Sequence, residues 1–313
     1  MYVLGLDIGG TKSAAVTGIW EDGKITLLKK ESIETDHNIS AYEMLSRIFD
    51  MAEGILDKAP DSIGISCGGP LDSKRGVIMS PPNLPGWDDI EIVRLTHERF
   101  GSPVHLQNDA NACAVAEWKF GAGRGFSNIA FLTFGTGLGA GLILNGRLYE
   151  GTNGNAGELG HIRLEKDGPT GFGKQGSFEG FCSGGGIAKL GRIFAEKAKA
   201  NGITPLYAKS GEDKFTAKSI AQAAYAGDET ALEVYRTSGK YLGYGLSILI
   251  DIINPERIII GGVYMRSHNL LWESAEEQLK KEALICSLDV CKIVPSELGE
   301  NIGDYAALAT ALL

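Results

Sequence analysis

The period of the apolar positions changes several times along this chain, and each change predicts an element. Residues 2–8 are almost continuously apolar up to Asp7, the mark of a buried strand. Alternation over 13–20 and 25–32 predicts two further strands. Between Ser40 and Asp57 the apolar side chains Met44, Leu45, Ile48, Phe49, Ala52 and Ile55 recur at helical spacing, with Ser40 and Glu43 placed as a capping box. A short buried strand over 62–66 runs into Gly68-Gly69-Pro70, and a helix follows over 89–99. A strand over 104–107 then delivers Asn108-Asp109 to an Ala-rich helix over 110–118.

Strands are predicted over 128–133 and 139–144, around Gly135-Thr136-Gly137-Leu138, and Asn145-Gly146 is a hairpin turn signal. Residues 151–186 are Gly-rich and read as loop. Helical spacing over 186–200, 216–228, 230–252, 268–284 and 304–313, with strands at 258–260 and 290–294, completes the chain. The strand–turn–strand pattern of 2–32 returns at 127–149, which points to an internal duplication. The expected architecture is α/β in two lobes. Residues 1–120 with the last helix, 302–313, form one and residues 121–301 the other, divided near Gly121-Ala122-Gly123-Arg124-Gly125.

Composition narrows the function classes. The 313 residues are 43% hydrophobic and 22% charged, with a net charge of −9, which argues against a nucleic-acid surface. It does not argue against a phosphate ligand, because backbone N–H groups bind phosphate on acidic proteins too. Five cysteines, none in C-x-x-C spacing, make a disulfide framework unexpected and a reducing, cytoplasmic compartment the expectation. The N-terminal run reaches an acid at Asp7 and has no basic flank, so no signal peptide is read there. No apolar run approaches the roughly 20 residues of a membrane helix.

Within that frame, three stretches carry chemistry. In Asp7-Ile8-Gly9-Gly10-Thr11-Lys12, glycines between two strands let the backbone approach a phosphate, Thr11 adds a hydroxyl donor, and Asp7 can hold a hydrated Mg²⁺. An ordinary hairpin turn suits the same residues. Thr11 between Gly10 and Lys12 excludes a P-loop. Gly135-Thr136-Gly137-Leu138-Gly139-Ala140 has dinucleotide-fingerprint spacing, but a strand pattern follows it where that fingerprint opens a helix, so a second phosphate hairpin is the better reading. Asp109, at a strand-to-helix junction, suits either an N-cap or a general base. The two glycine turns favour the base, with Asn108 and Asn111 beside it able to bond hydroxyls. Glu158, His161 and Glu179, with Asn153 or Asn155, suit a polyol, and no second His follows at zinc-site spacing. Pro82-Asn83-Leu84-Pro85-Gly86-Trp87 is a rigid turn that offers one amide or is simply a connection.

In order along nearly the whole chain, these motifs resemble those of the ROK family of sugar kinases, within the actin-like (ribonuclease H-like) ATPase fold group. Asp7-Ile8-Gly9-Gly10-Thr11-Lys12 and Gly135-Thr136-Gly137-Leu138-Gly139 resemble the family's two phosphate motifs. Gly68-Gly69-Pro70-Leu71-Asp72 and Pro82 to Trp87 resemble its Gly-Pro turn and sugar loop. Asn108-Asp109-Ala110-Asn111-Ala112, Gly157-Glu158-Leu159-Gly160-His161 and Asn254-Pro255-Glu256 through Gly261-Gly262 resemble its catalytic, sugar-binding and adenosine-side segments. The resemblance implies an active site in the cleft between two lobes, with Asp109 as base. It implies Gly69, Asn83, Asn108, Glu158, His161 and Glu179 on the sugar, and Asp7, Gly9, Gly10, Thr11, Lys12, Thr136 and Gly137 toward phosphates. Gly184, Gly185, Gly261 and Gly262 would wall the adenosine, and Mg²⁺ would meet Asp7 through water. The expected reaction is ATP-dependent phosphorylation of a hexose 6-hydroxyl, as in a glucokinase. An N-acetylhexosamine kinase is the alternative, and a silent sugar sensor a third reading. Partners are then a sugar, ATP and a second copy of the chain, joined through the second lobe, with no nucleic acid or membrane. A repressor with a preceding DNA-binding domain is not expected, since the chain opens on the first phosphate strand.

One departure bears on a metal. The family pattern Cys-Gly-Cys-Gly-x-x-Gly-Cys-x-Glu, whose thiolates join the His in a structural zinc site, here reads Thr170-Gly171-Phe172-Gly173-Lys174-Gln175-Gly176-Ser177-Phe178-Glu179. Without thiolates His161 alone cannot hold zinc tightly, so no structural zinc is expected. Phe172 is expected to fill the vacated space by apolar packing, leaving the loop able to place Glu179.

Overall fold

The first three strands pair in sequence order, which places the first glycine turn at a sheet end. In the computed structural model of the chain, which describes residues 1–209 and 215–313, β1 (Tyr2–Ile8), β2 (Lys12–Glu21) and β3 (Lys24–Glu34) form an antiparallel meander. Ile8 pairs with Ser13, leaving Gly9–Lys12 as a tight connection. Helix α1 (Ala41–Ile55) buries all six apolar residues that its spacing marked. Only half of the expected capping box forms. The Ser40 hydroxyl accepts from the Glu43 N–H at 3.2 Å, while the Glu43 carboxylate pairs with Arg47 at 3.0 Å.

Next come β4 (Ser62–Cys67), the short pair β5 (Leu71–Asp72) and β6 (Val77–Ile78), α2 (Ile92–Phe100), β7 (Val104–Asn108) and α3 (Asp109–Phe120). β4 runs parallel to β1, and β7 parallel to β4, giving a mixed sheet of order β3-β2-β1-β4-β7. Its register decides where chemistry can occur. Ile8 lies beside Cys67 and Cys67 beside Asn108, so the carboxyl ends of β1, β4 and β7 emerge together. In open α/β sheets ligands bind at such ends.

β8 (Ile129–Phe134), β9 (Leu138–Leu144) and β10 (Arg147–Leu148) follow, the last two joined by a turn whose residues Asn145 and Gly146 both have positive φ, as a two-residue hairpin requires. The Gly-rich stretch is more ordered than its composition implies. It holds a 3₁₀ turn at Leu159–His161, a small hairpin of β11 (Thr170–Gly171) and β12 (Lys174–Gln175), and α4 (Phe178–Phe181). The remaining elements are α5 (Gly184–Ala200), α6 (Ala217–Tyr225), α7 (Glu229–Ile253), β13 (Arg257–Ile260), α8 (Val263–Glu282), α9 (Ile285–Leu288), β14 (Lys292–Pro295) and α10 (Ile302–Thr310). The second sheet has the order β10-β9-β8-β13-β14. Helix α8 starts five residues before its expected start at 268. Val263-Tyr264-Met265 is a short apolar run with no period of its own, and a kink at Ser267 separates it from the regular part.

Two compact units result, Met1–Phe131 with Gly141–Ala156 and Glu297–Leu313, and Leu132–Ala140 with Gly157–Ser296. In the first, α10 presses its backbone onto the sheet. A Cβ on Gly64 would overlap the Ala307 carbonyl oxygen, so glycine is needed for that approach. Among the described residues no helix is long and apolar enough to cross a membrane.

Candidate active site

The first glycine turn is held by its carbonyls. Thr35 donates its hydroxyl to the Gly9 carbonyl at 2.7 Å and its N–H to the Thr11 carbonyl at 3.0 Å, and the His37 Nε2 lies 2.7 Å from the Gly10 carbonyl. These bonds turn the carbonyl side of the loop toward residues 35–37. Gly10 also abuts the Asn83 backbone, where a Cβ would overlap the Asn83 carbonyl oxygen. The Asn83 side chain lies over Gly68, where a Cβ would come within 3.1 Å of its Nδ2. The Pro82–Trp87 turn thus brings its one amide between the glycine turns after β1 and β4. Thr11, Lys12, Gly69 and Asn83 are exposed beside it.

At the end of β7 the helix cap and the acid are separate residues. Asn108 is the N-cap, its Oδ1 accepting from the Asn111 N–H at 2.7 Å. Asp109 is therefore not the cap, which was one of its two readings. Its Oδ1 accepts the adjacent Ala110 N–H at 2.8 Å. Asn111 is buried, so it supports the segment rather than facing a ligand.

Burial raises the Asp109 pKa above the ordinary carboxylate value, and the N–H groups of Ala110 and Asp109 itself partly offset the rise. Asp109 is nonetheless exposed by surface area, so the density of protein packed around it, not exclusion of water, produces the effect. Asp7 is pushed up to about 6, first by burial and then by the charges of Asp109 and Asp304, with Lys30 acting in the opposite sense. Lys30 is 2.6 Å from the buried Asp304 carboxylate. Burial, then the Asp109 and Asp7 charges, also pushes the Cys67 and Cys113 thiols up, so neither is a nucleophile. Three acids around one ammonium leave an excess of negative charge that a cation would complement.

The second turn is held differently. Gly184 and Gly185, at the start of α5, donate their N–H groups to the carbonyls of Gly135 (2.7 Å) and Thr136 (3.2 Å). Glu179 accepts the Leu138 N–H at 3.0 Å, and its Oε2 would lie 2.7 Å from a Cβ on Gly137. Gly262 has a φ of 66° and packs on the Phe134 carbonyl, while the Gly261 N–H donates to the Leu132 carbonyl at 3.0 Å. Gly160 packs on the Leu138 carbonyl and sits 3.4 Å, in Cβ terms, from the Glu179 Cβ. The Glu158–His161 turn, Glu179 and Thr136-Gly137 are thus neighbours, with Glu158 and His161 exposed.

The zinc-motif stretch corrects one expectation. Phe172 does not fill a vacated space. It is 73% exposed at a φ of 40°, on the tip of the β11–β12 hairpin, with only an edge contact to the His161 ring at 6.4 Å. The stretch is knitted by Ser177 instead, whose buried hydroxyl accepts from the N–H groups of Gly171 (3.2 Å) and Gly180 (3.1 Å). Lys174 adds a bond to the His161 carbonyl at 2.7 Å. A hydroxyl already engaged by two amides, an exposed ring and an exposed Thr170 do not make a zinc donor set. Among the described residues no group of three His, Cys, Asp or Glu side chains could hold a metal directly.

Local motifs did not reveal Thr35, His37, Lys30 and Asp304, nor Ser73, Gln107 and Glu150, which the fold brings to the same sheet end from distant positions. Thr35, Gln107 and Glu150 gave no signal beyond a polar residue at or near a strand end, and Lys30, inside β3, and Asp304, in α10, gave none.

A family model described as the ROK family matches residues 3–312. The glucokinase of Thermotoga maritima is 33% identical over 313 residues, covering 98% of this chain and 96% of that protein. The xylose repressor of Bacillus spizizenii is 28% identical over 309 residues, covering 96% of this chain and 74% of that protein. A ROK hexokinase structure from Thermus thermophilus matches with a TM-score of 0.80 at 31% identity, covering 100% of this chain and 98% of that one. A ROK family glucokinase from Streptomyces griseus, solved in complex with glucose and AMPPNP, matches with a TM-score of 0.78 at 28% identity, covering 100% and 99%. The motifs, the α/β topology and these likenesses agree, and the chain belongs to the ROK family, with its actin-like ATPase fold.

Proposed function

We propose that this protein is an ATP-dependent sugar kinase that phosphorylates a hexose, at the 6-hydroxyl, with Asp109 as general base. The observation that carries the reading is the division of labour at the start of α3. Asn108 satisfies the helix, which leaves the exposed Asp109 carboxylate available, and the protein packed around it raises its pKa above that of a free aspartate. Asp109 accepts the proton of the sugar hydroxyl as that oxygen attacks the γ-phosphorus, and the bond to the bridging oxygen of ADP breaks. The protein's share of such a reaction is positioning and charge stabilisation.

In the first unit, Gly9, Gly10, Thr11 and Lys12 contact phosphate oxygens, while Gly69, Asn83 and Asn108 bond sugar hydroxyls. In the second, Thr136 and Gly137 offer donors to phosphate, Glu158, His161 and Glu179 bond sugar hydroxyls, and Gly184, Gly185, Gly261 and Gly262 back the nucleotide. Mg²⁺ fits the acid-rich end of β1, where Asp7 supplies an oxygen of the hard type this ion prefers and would hold it through water. When bound, that ion neutralises charge on the phosphates.

Both the glucokinases and the glucose-bound structure among its relatives support a hexose substrate. The test is to incubate the protein with Mg·ATP and a panel of glucose, mannose, fructose, allose, N-acetylglucosamine, N-acetylmannosamine and a β-glucoside, and to identify the product by phosphorus NMR. A hexose 6-phosphate is expected. An N-acetylhexosamine phosphate as the preferred product would overturn the assignment to a plain hexose, and sugar binding without any product would identify a sensor.

A further inference from the structure

A hydrogen-bond relay that starts outside the sequence motifs, at Glu150, ends in the catalytic segment. Glu150, just after β10, accepts through one oxygen, Oε1, from the Ser73 hydroxyl at 2.7 Å and from the Gln107 side-chain amide at 2.8 Å. The Gln107 Oε1 in turn accepts from the Asn111 side-chain amide at 3.2 Å. Asn111 donates its backbone N–H to Asn108, the cap that frees Asp109. Gln107 and Asn111 are both buried, with 5% and 1% of their surface exposed.

The direction of this relay follows from chemistry alone. A carboxylate only accepts hydrogen bonds, so Gln107 must present its NH₂ to Glu150 and therefore its oxygen to Asn111. That oxygen fixes the Asn111 amide as the donor. An amide pair without the carboxylate has no such bias and can flip as a unit. Ser73 lies beyond the Gly68-Gly69-Pro70 turn and Gln107 on β7, so a single oxygen ties together two segments distant in sequence. All four residues lie in the first unit.

We propose that Glu150 is a positioning residue for phosphoryl transfer, orienting the Asn108–Asp109 segment through Gln107 and Asn111 and tying the Gly69 turn to it through Ser73. This rests on the kinase reading above. When the relay is cut, the cap at Asn108 loosens, and the Asp109 carboxylate can take its place at the helix terminus and leave the reacting hydroxyl.

The test compares Glu150→Leu, which cannot accept, with Glu150→Gln, which keeps a carbonyl oxygen for both donors. Glu150→Leu should lower kcat about tenfold while KM for Mg·ATP stays within about twofold, the pattern of a displaced reacting group rather than lost nucleotide binding. Glu150→Gln should recover kcat to within about threefold of the unmodified protein, since net hydrogen-bond losses of this kind are small. If Glu150→Leu does not fold, Gln107→Met cuts the relay at similar volume and carries the same kcat expectation. Unchanged kcat in the cut variant would overturn the proposal, as would equal loss in the Leu and Gln variants or a rise in KM for Mg·ATP that matches the fall in kcat. An unmodified protein that turns over no sugar would overturn the kinase reading itself, and with it this role; an active one with an indifferent Glu150 would overturn only the role.

Discussion

The turn after β1 and the turn after β8 share a plan of strand, glycines and threonine, strand, yet they are held by opposite means. Residues 35–37 engage the carbonyls of the first turn, and it lies at the sheet end where Asp7, Asp109 and Asp304 crowd one lysine. The N–H groups of Gly184 and Gly185 engage the carbonyls of the second, and the neighbouring Glu179 carboxylate accepts the Leu138 N–H through Oε2. At the first turn, burial and the charges of Asp109 and Asp304 push the Asp7 carboxyl up, and burial pushes up that of Asp109. The second has a carboxylate serving as a strut. On the proposed reading, similar sequence therefore serves two tasks, proton transfer with charge management in one unit and a rigid cradle in the other.

The largest test of that contrast is Asp109→Asn. The amide keeps the shape but cannot take a proton, so turnover should fall about 10³-fold, within the range for loss of a general base. Sugar affinity, measured by calorimetry, should change little. Residual turnover within about tenfold of the unmodified protein would place the base elsewhere.

Removing the strut should act on binding instead. Glu179→Ala frees the Leu138 N–H, lets the second turn relax and removes the proposed sugar contact, so KM for ATP and KM for the sugar should each rise about tenfold, the worth of one charge-assisted hydrogen bond. The pH dependence of kcat should keep its shape, because no proton carrier is lost. A shifted acid limb would show that Glu179 takes part in proton transfer and would erase the contrast.

A smaller effect lies in the stability of the ligand-free protein. The Asp7 pKa is raised from 3.8 to about 6 in the folded state. The folded state therefore holds this proton more tightly, a favourable contribution that is complete below 3.8 and lost as pH rises through about 6. Asp7→Asn should match the wild-type stability at low pH and exceed it above that window, by on the order of 1 kcal/mol once solvent screening is allowed for. Equal denaturation midpoints across the range would show that Asp7 is not under electrostatic stress. The smallest expectation is a null one. Elemental analysis of the purified protein should find no stoichiometric zinc, since Ser177 and Lys174 hold the 170–177 stretch by hydrogen bonds. One zinc per chain would refute that account of the loop.

Much of this was legible in the chain because it is local. The helical spacing of α1, the Gly-Thr turns and the Asn145-Gly146 hairpin each depend on neighbours a few residues away. Which residue caps α3 was not legible, because Asn108 and Asp109 are equally good caps by type and only geometry chose. The exposure of Phe172 was missed because apolar character suggested burial, whereas two successive positive φ values make residues 172–173 a hairpin tip. The commitment of Gly184 and Gly185 to the second turn, and the Ser73–Glu150–Gln107 relay, depend on partners some 40 residues or more away along the chain, beyond what local patterning reports.

The central claim is that this fold transfers phosphoryl from ATP to a sugar and does not merely bind it. The most direct measurement is sugar-dependent ADP release by the unmodified protein, followed in a coupled assay beside calorimetric binding of the same sugar. The account predicts ADP release that saturates with the sugar, over the range where the sugar binds. Saturable sugar binding with no ADP release would contradict it.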